Sequence, residues 1–408
     1  MTPIKKTPKP AGKAKSPSAK KGKTAAKARK VVKKPLLIAA LEGFGYTPIE
    51  ITSTVTQKDA EKLFDTEARN ITKSEGVPVL KHRMELLTYA EQHGVQGAQP
   101  LLTYSIVKNA ADKTTRINLD VIGINRGVAE AFILETLNHI ASSLKLPFIW
   151  HIGCVGEKDS FTRFEREVTA YYRRHMDSLP AAAREKAKTA ALELLSEQSG
   201  SLQKLAEDAP KSINFLSDIS RTHFKEFLEY PETSGTVYEV SNHVVPRFAH
   251  ETYICAEAAL ISEKTGKEIA TMRFSRYDGL SKHTGLRREM PAAGGYIEIS
   301  DTIMPKEIID VGTWPIFYLT HVGNDPRRVA LRLLSDFERF GMPLHHGILK
   351  DKLSSQMIAA ENARAEYILL LGQKEYVEKT IVVRNTINRS EQIVPQKDIA
   401  HFLMKLKK

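Results

Sequence analysis

Two β-patterned runs a few residues apart limit what this chain can fold into. LLTYSIV (101–107) and RINLDVIGI (116–124) flank the polar stretch NAADKTT, a pattern that predicts a β-hairpin with a flexible tip. A helical pattern follows at GVAEAFILETLNHIASSLKL (127–146), and PFIWHIGCV (147–155) reads as a buried strand. Further strands are predicted at 236–245, 251–262, 268–274 and 293–300, after a mostly helical stretch over 157–230. Within that stretch, AAAREKAKTAALELLSEQ (181–198) reads as a surface helix. Upstream, LLIAALEGFGYTPIEITSTV (36–55) predicts a helix end, a Gly-Tyr turn and a strand around Ile49 and Ile51.

A second unit starts near Trp314. There WPIFYLTHV reads as a buried strand, and GNDPRRVALRLLSDFERFG as a helix with Asp325 as N-cap, Pro326 in first position and Gly341 as stop. A short strand (344–349), a helix (352–364), strands at 365–372 and 380–385 and a final helix (396–407) complete an α/β unit. A chain of 408 residues can hold two such domains, placed at 35–310 and 311–408 with a helical insertion about 157–230.

Charge is segregated along the chain. Residues 1–34 hold thirteen Lys or Arg and no Asp or Glu, so a formal net charge of +12 leaves −1 for the rest. This tail of Lys, Ala, Pro, Gly and Ser cannot bury enough surface to offset its ordering entropy, and is expected to be disordered. Lys20, Lys21, Lys23, Lys27, Arg29, Lys30, Lys33 and Lys34 are its candidate contacts to a phosphate backbone, through counterion release. The tail has neither the apolar core of a secretory signal nor the Arg/Ser mixture of a transit peptide. No run of 18 apolar residues would span a membrane. Cys154 and Cys255 lack CxxC spacing and are expected to be free buried thiols in a reducing, cytoplasmic setting.

No self-contained catalytic signature appears: GxxxxGK[ST], GxSxG and HExxH are all missing. His345 and His346 fall on a predicted strand, so their rings point to opposite faces and cannot chelate one metal. His151, inside an apolar strand, is expected to be a hydrogen-bonded core histidine.

Several words in fixed order carry a resemblance. LDVIG (119–123) follows the hairpin, and APKSINFLSDISRTHFKEFLEY (209–230) precedes an Arg-bearing strand. RYDGL (276–280), PAAG (291–294) and LSSQMIAAENARAEYILLLGQKEY (353–376) come next. Over roughly residues 36–408 the chain resembles the class II histidyl-tRNA synthetases or a paralogue of them. The resemblance implies an α+β class II core, an antiparallel sheet with flanking helices, and a C-terminal α/β anticodon-binding-like domain. It also implies a homodimer and tRNA as partner. In such enzymes a histidine carboxylate attacks the α-phosphate of ATP, and preorganised cations stabilise the charge that develops.

At most of those cations this sequence departs from the pattern. The motif 2 strand, which should end FR-x-E, reads Val107-Lys108-Asn109-Ala110; Lys108 keeps a charge without the planar fork of Arg. Thr52 stands where motif 1 has a proline. Lys73-Ser74-Glu75-Gly76-Val77 replaces RPEGT and keeps the glutamate expected at an α-amino group. RFAHET replaces RGLDYY, keeping Arg247 while His250, Glu251 and Thr252 replace an acid and two tyrosines. Phe274 and Ser275 stand in for paired glycines and are expected to add bulk where substrate approaches. In motif 3, Glu298 replaces a glycine and Asp301 the Arg of the γ-phosphate, so a degenerate clamp sets two carboxylates against a triphosphate.

The resulting expectation is a non-catalytic paralogue, without a cofactor or metal, that binds tRNA or another RNA through its C-terminal domain and basic tail. One alternative is a divergent histidine–tRNA ligase using ATP and Mg²⁺. In it, Arg247 and Lys108 would be catalytic, and Glu75, Arg116, Arg276, Tyr277 and Asp278 would bind substrate. In the structural reading of the same residues, Asp278 and Gly279 shape a turn and Arg276 pairs with Asp278 or Glu298. A further alternative is a regulatory subunit that senses histidine or another amino acid through Glu75.

Overall fold

The computed structural model describes residues 32–51, 55–95, 99–197, 200–262, 265–311 and 314–406. Lys20, Lys21, Lys23, Lys27, Arg29 and Lys30 lie outside the described residues. Lys33 and Lys34 do not belong to a free tail: they sit in β1 (Val32–Pro35), paired antiparallel with residues Ile308–Val311. Lys34 is ion-paired with Glu42 on α1 (Leu36–Gly43), which β1 enters directly.

The first unit is built on an eight-stranded sheet. Its elements begin β2 (Thr47–Pro48), α2 (Gln57–Glu67), α3 (Lys73–Gln92), β3 (Leu101–Asn109), β4 (Thr114–Ile122), α4 (Val128–Ser143) and β5 (Trp150–Gly156). The helical insertion holds α5 (Lys158–Arg174), α6 (Ala181–Thr189), α7 (Gly200–Asp208) and α8 (Asp218–Ser234). β6 (Tyr238–Val240), β7 (Thr252–Ile261), β8 (Glu268–Arg276) and β9 (Ala292–Ser300) complete the sheet, and β10 (Ile308–Val311) pairs with β1. The strand order is β2-β3-β4-β9-β8-β7-β5-β6, antiparallel except for the short edge pairs β2–β3 and β5–β6. α4 crosses one face; its run Val128–Leu137 is buried all round, which explains its near-continuous apolar sequence.

The second unit comprises β11 (Phe317–His321), α9 (Asn324–Arg339), β12 (Leu344–His346), α10 (Leu353–Asn362), β13 (Tyr367–Leu371), α11 (Gln373–Glu378), β14 (Thr380–Asn385), β15 (Glu391–Pro395) and α12 (Ile399–Met404). Its sheet runs β12-β11-β13-β14-β15, parallel for the first three strands and antiparallel beyond. One hydrophobic cluster continues from the first unit into the second, through Phe44 and Phe132 to Phe317, Leu334 and Phe337. Arg126 bridges Glu226 and Asp351 across the same junction. Among the described residues, no helix is long and apolar enough to cross a membrane.

Several expectations are corrected. The strand around Ile49 and Ile51 shrinks to Thr47–Pro48, because only Thr103 and Tyr104 of β3 offer it partners. The surface helix over 181–198 stops at Thr189; a 3-10 turn over Ala191–Ser196 then buries Leu192, Leu194 and Leu195 against Phe161 and Tyr172. The second-unit helix starts at Asn324, so Asp325 lies in its first turn, paired with Arg328, and is not the N-cap. The predicted strand over 236–245 is Tyr238–Val240, and β15 takes residues left unread before the final helix. His151 is not a core residue: its side chain is 41% exposed and lies 3.7 Å from Glu239, its register partner on the short edge strand β6.

One junction carboxyl has a pH-dependent consequence. Glu338 on α9 packs so closely on Gly43 that a Cβ there would lie 2.1 Å from its carboxyl group. Its Oε1 is buried without a hydrogen bond among the described residues, and burial pushes its pKa up to about 8. The folded chain therefore holds Glu338 protonated where the unfolded chain ionises it. Stability is full below the ordinary carboxyl range and falls as pH rises towards about 8. Glu338→Gln should leave the melting temperature unchanged near pH 4.5 and raise it at pH 8; equal shifts at both pH values would refute this.

Candidate ligand site on the open face of the sheet

Alternation along the central strands gives the sheet two unlike faces. Ile117, Leu119, Met272, Phe274, Ile297 and Ile299 point into the core, while their neighbours face α3 and the loop 245–251. Register lines these neighbours up in rows: Asn118, Tyr296, Arg273 and Glu257 across four strands, and Arg116 beside Glu298. Phe274 therefore does not crowd the site, as its position in the sequence suggested; it packs against Trp150 and Phe227 in the core. Ser275 does face the site.

Cations and carboxylates on this face are already matched. Arg116 donates from Nε to Glu298 at 2.7 Å and ion-pairs through Nη2, with its guanidinium 4.5 Å from the Tyr296 ring centroid. Thr114 donates to the other oxygen of Glu298 at 2.9 Å. Arg273 donates to Glu257 at 2.6 Å and to the carbonyl of Val245 at 2.8 Å. Arg83, on α3, donates to Glu251 and to Ser275, each at 2.9 Å, and lies over Tyr277 at 4.5 Å. Burial alone would raise the Glu251 carboxyl, but Arg83 and Arg273 outweigh it and hold the pKa at about 2. A charge balanced in this way is satisfied internally, at low dielectric, before any ligand arrives.

The space left over follows from that packing. Beneath the loop, between Arg83, Arg116, Glu251 and Tyr296, remains a void of about 20 Å³, room for a single water. Outside it opens a cleft of about 490 Å³, between the start of α3 and the insertion. Glu75 and Arg247 line both. Glu75 is exposed in the first turn of α3 and accepts from Thr72 at 3.3 Å. Arg247 donates to the Tyr296 hydroxyl at 3.1 Å and pairs with no carboxylate among the described residues.

The other sequence candidates scatter. Lys108 is exposed at the end of the hairpin, and Asp301 is tied to it by Thr115 Oγ1 at 2.8 Å. Arg276 is 1% exposed on the core side, held by both oxygens of Glu130, by Asp278 and by the carbonyls of Ile124 and Arg126. It does not pair with Glu298. Asp278 accepts the Ala292 N–H at 2.7 Å, closing the turn. Tyr277 is buried, its hydroxyl donating to Asp120 at 2.7 Å, and His82 Nε2 lies 3.0 Å from the same carboxylate. The sequence reading missed Arg83, His82 and Asp120. Arg83 and His82 lie on a helix that was not read, and Asp120, although it falls within LDVIG, was given no role.

Other groups are structural. His346 donates from Nε2 to the carbonyl of Phe44 at 3.0 Å, and burial pushes its pKa down to about 4; His345 is exposed. No three His, Cys, Asp or Glu side chains among the described residues could share a metal ion. Cys154 and Cys255 are free and buried, and burial pushes the Cys255 thiol up to about 12.

No protein-family profile matches the chain. Curated relatives do. The histidine–tRNA ligase of Chlorobium phaeobacteroides is 23% identical over 286 residues, 68% of this chain and 65% of that one. That of Syntrophotalea carbinolica is 21% identical over 362 residues, 86% of this chain and 85% of the relative. The chain is a divergent histidyl-tRNA synthetase-like protein. Among solved structures, apo histidyl-tRNA synthetase of S. aureus superposes with a TM-score of 0.48 at 15% identity, covering 90% of this chain and 93% of the other. A Bacillus halodurans protein described as an ATP phosphoribosyltransferase regulatory subunit/histidyl-tRNA synthetase gives 0.40 at 15%, covering 83% and 92%. Against the synthetase pattern quoted above, the motif 3 position of Glu298 lies on β9, ion-paired to Arg116 of the motif 2 hairpin.

Proposed function

We propose that this histidyl-tRNA synthetase-like chain does not activate an amino acid and instead binds tRNA or another RNA, as a homodimer and without a cofactor. The observation that carries this reading is the Arg116–Glu298 pair under Tyr296. An ATP phosphate would have to displace a carboxylate already held by two N–H groups, and would find Asp301 where the second cation belongs. RNA binding is supported by charge. Residues 314–408 hold fifteen Lys or Arg against ten Asp or Glu, and residues 1–34 hold thirteen against none.

One observation favours a second reading. In the cleft of about 490 Å³, the exposed Glu75 carboxylate and the Arg247 guanidinium are charges of opposite sign, as a zwitterionic amino acid would require. A sensor of histidine or another amino acid would use them without chemistry.

A single set of measurements separates these. No histidine-dependent ATP–pyrophosphate exchange is expected, and Asp301→Arg should not weaken the already poor ATP binding. Exchange above background would overturn the non-catalytic reading. In the same preparation, a rise in melting temperature with free amino acids, lost in Glu75→Ala, would establish the sensor.

A further inference from the structure

We propose that His82 acts as a tethered ligand, its imidazole filling a niche on the open face built by Asp120, Tyr277 and Gly294. While it stays there, the neighbouring cleft takes an amino acid other than histidine. The choice of ligand rests on the amino-acid-sensing reading, and the niche on geometry alone.

The niche is arranged around one carboxylate. Asp120 is buried on β4 opposite Gly294 of β9, while its neighbours Leu119 and Val121 point into the core. Tyr277 Oη donates to Asp120 Oδ1 at 2.7 Å, and His82 donates from Nε2 to Oδ2 at 3.0 Å. A buried carboxylate needs donors of this kind on both oxygens. Thr103, its register partner on β3, does not supply one: that hydroxyl is buried with no partner among the described residues. Glycine at 294 leaves the room, since a Cβ there would lie 2.3 Å from Asp120 Oδ1 and 2.8 Å from the Tyr277 ring. The His82 side chain is 23% exposed against 4% for Asp120, so the imidazole forms the outer wall of the niche.

Niche and cleft are neighbours. Glu75 precedes His82 by seven residues, two turns of α3, which places both on one helix face. Arg83 joins the two places: it lines the void beneath the cleft and lies 4.5 Å over the Tyr277 ring. An amino acid held by Glu75 and Arg247 that carried an imidazole would find both oxygens of Asp120 already taken.

The test melts the full chain and its His82→Ala variant with free imidazole near pH 8, where that ring is mostly neutral. The variant should melt earlier, and imidazole should raise it again by about 2–4 °C, saturably, while leaving the parent unchanged. The methylated ring 1-methylimidazole has no N–H to give Asp120 and should restore nothing. His82→Gln keeps a donor for Asp120 and should melt nearer the parent. If the alanine variant does not fold in buffer, its recovery on refolding with imidazole, and not with 1-methylimidazole, reads the same contact. An alanine variant that responds to neither ring, or to both alike, overturns the niche. A parent stabilised by histidine as well as by other amino acids would show that His82 excludes nothing. The inference then fails and the sensing reading stands. If no amino acid stabilises the parent and imidazole still restores the variant, the sensing reading fails and the niche stands.

Discussion

Replacing Glu130 with alanine should cost about 3–5 kcal/mol of stability, the range for breaking a buried ion pair by removing one partner. Glu130 is fully buried in the first turn of α4, where the helix dipole already favours a negative charge. Its carboxylate receives Arg276 at 2.8 and 2.7 Å, and His223 Nε2 lies 2.7 Å away. Burial opposes its ionisation, but Arg276 and His223 hold its pKa well below the usual carboxylate range. Without it, Arg276 keeps Asp278 and two carbonyls but stays buried with a poorly compensated charge. The cluster also joins the start of α4, the end of β8 and the middle of α8, so the loss propagates to the RYDGL turn. Urea denaturation would measure the effect. A double change to Glu130→Leu and Arg276→Met should recover much of it, since the cost lies in the unpaired charge and not in lost volume. A loss below about 1 kcal/mol for Glu130→Ala would mean that Arg276 is satisfied without it.

How much of this was legible beforehand depends on the range over which each signal acts. The hairpin and α4 were legible because alternation and all-round apolarity are local signals, and they fall within a residue or a few of Leu101–Asn109, Thr114–Ile122 and Val128–Ser143. The fate of Lys33 and Lys34 was not, because VKKP has no strand pattern of its own. It becomes a strand only by pairing with residues some 270 positions later in the chain. For the site, local reading supplied Arg116, Tyr277 and Glu298 as positions but not as partners. That Glu298 neutralises Arg116, and that Arg276 turns to the core while Tyr277 lies under the open face, depends on strand register between β4, β8 and β9. Arg83 was invisible for the same reason. An Arg on an amphipathic helix reads as a surface residue until a carboxylate from a distant loop, here Glu251, is brought against it.

Removing residues 1–31 should lower affinity for tRNA by about 100-fold or more at 50 mM salt and much less at high salt. The deletion takes away eleven of the thirteen tail cations and leaves β1 in place. Each phosphate contact contributes a slope of about 0.7–0.9 in the logarithmic dependence of affinity on salt, so engagement of half the tail would flatten it by about four. Filter binding from 50 to 500 mM salt reads both quantities. Cutting at residue 34 is a different experiment. It would also remove the pairing of β1 with β10 and the Lys34–Glu42 ion pair, so the folded body should melt earlier. The comparison separates charge from anchoring: the shorter deletion should change the salt slope with an unaltered melting temperature, and the longer one should change both. An unaltered slope in the shorter deletion would show that the tail does not meet the phosphate backbone. RNA affinity would then have to come from the second unit alone, where fifteen Lys or Arg are offset by ten Asp or Glu.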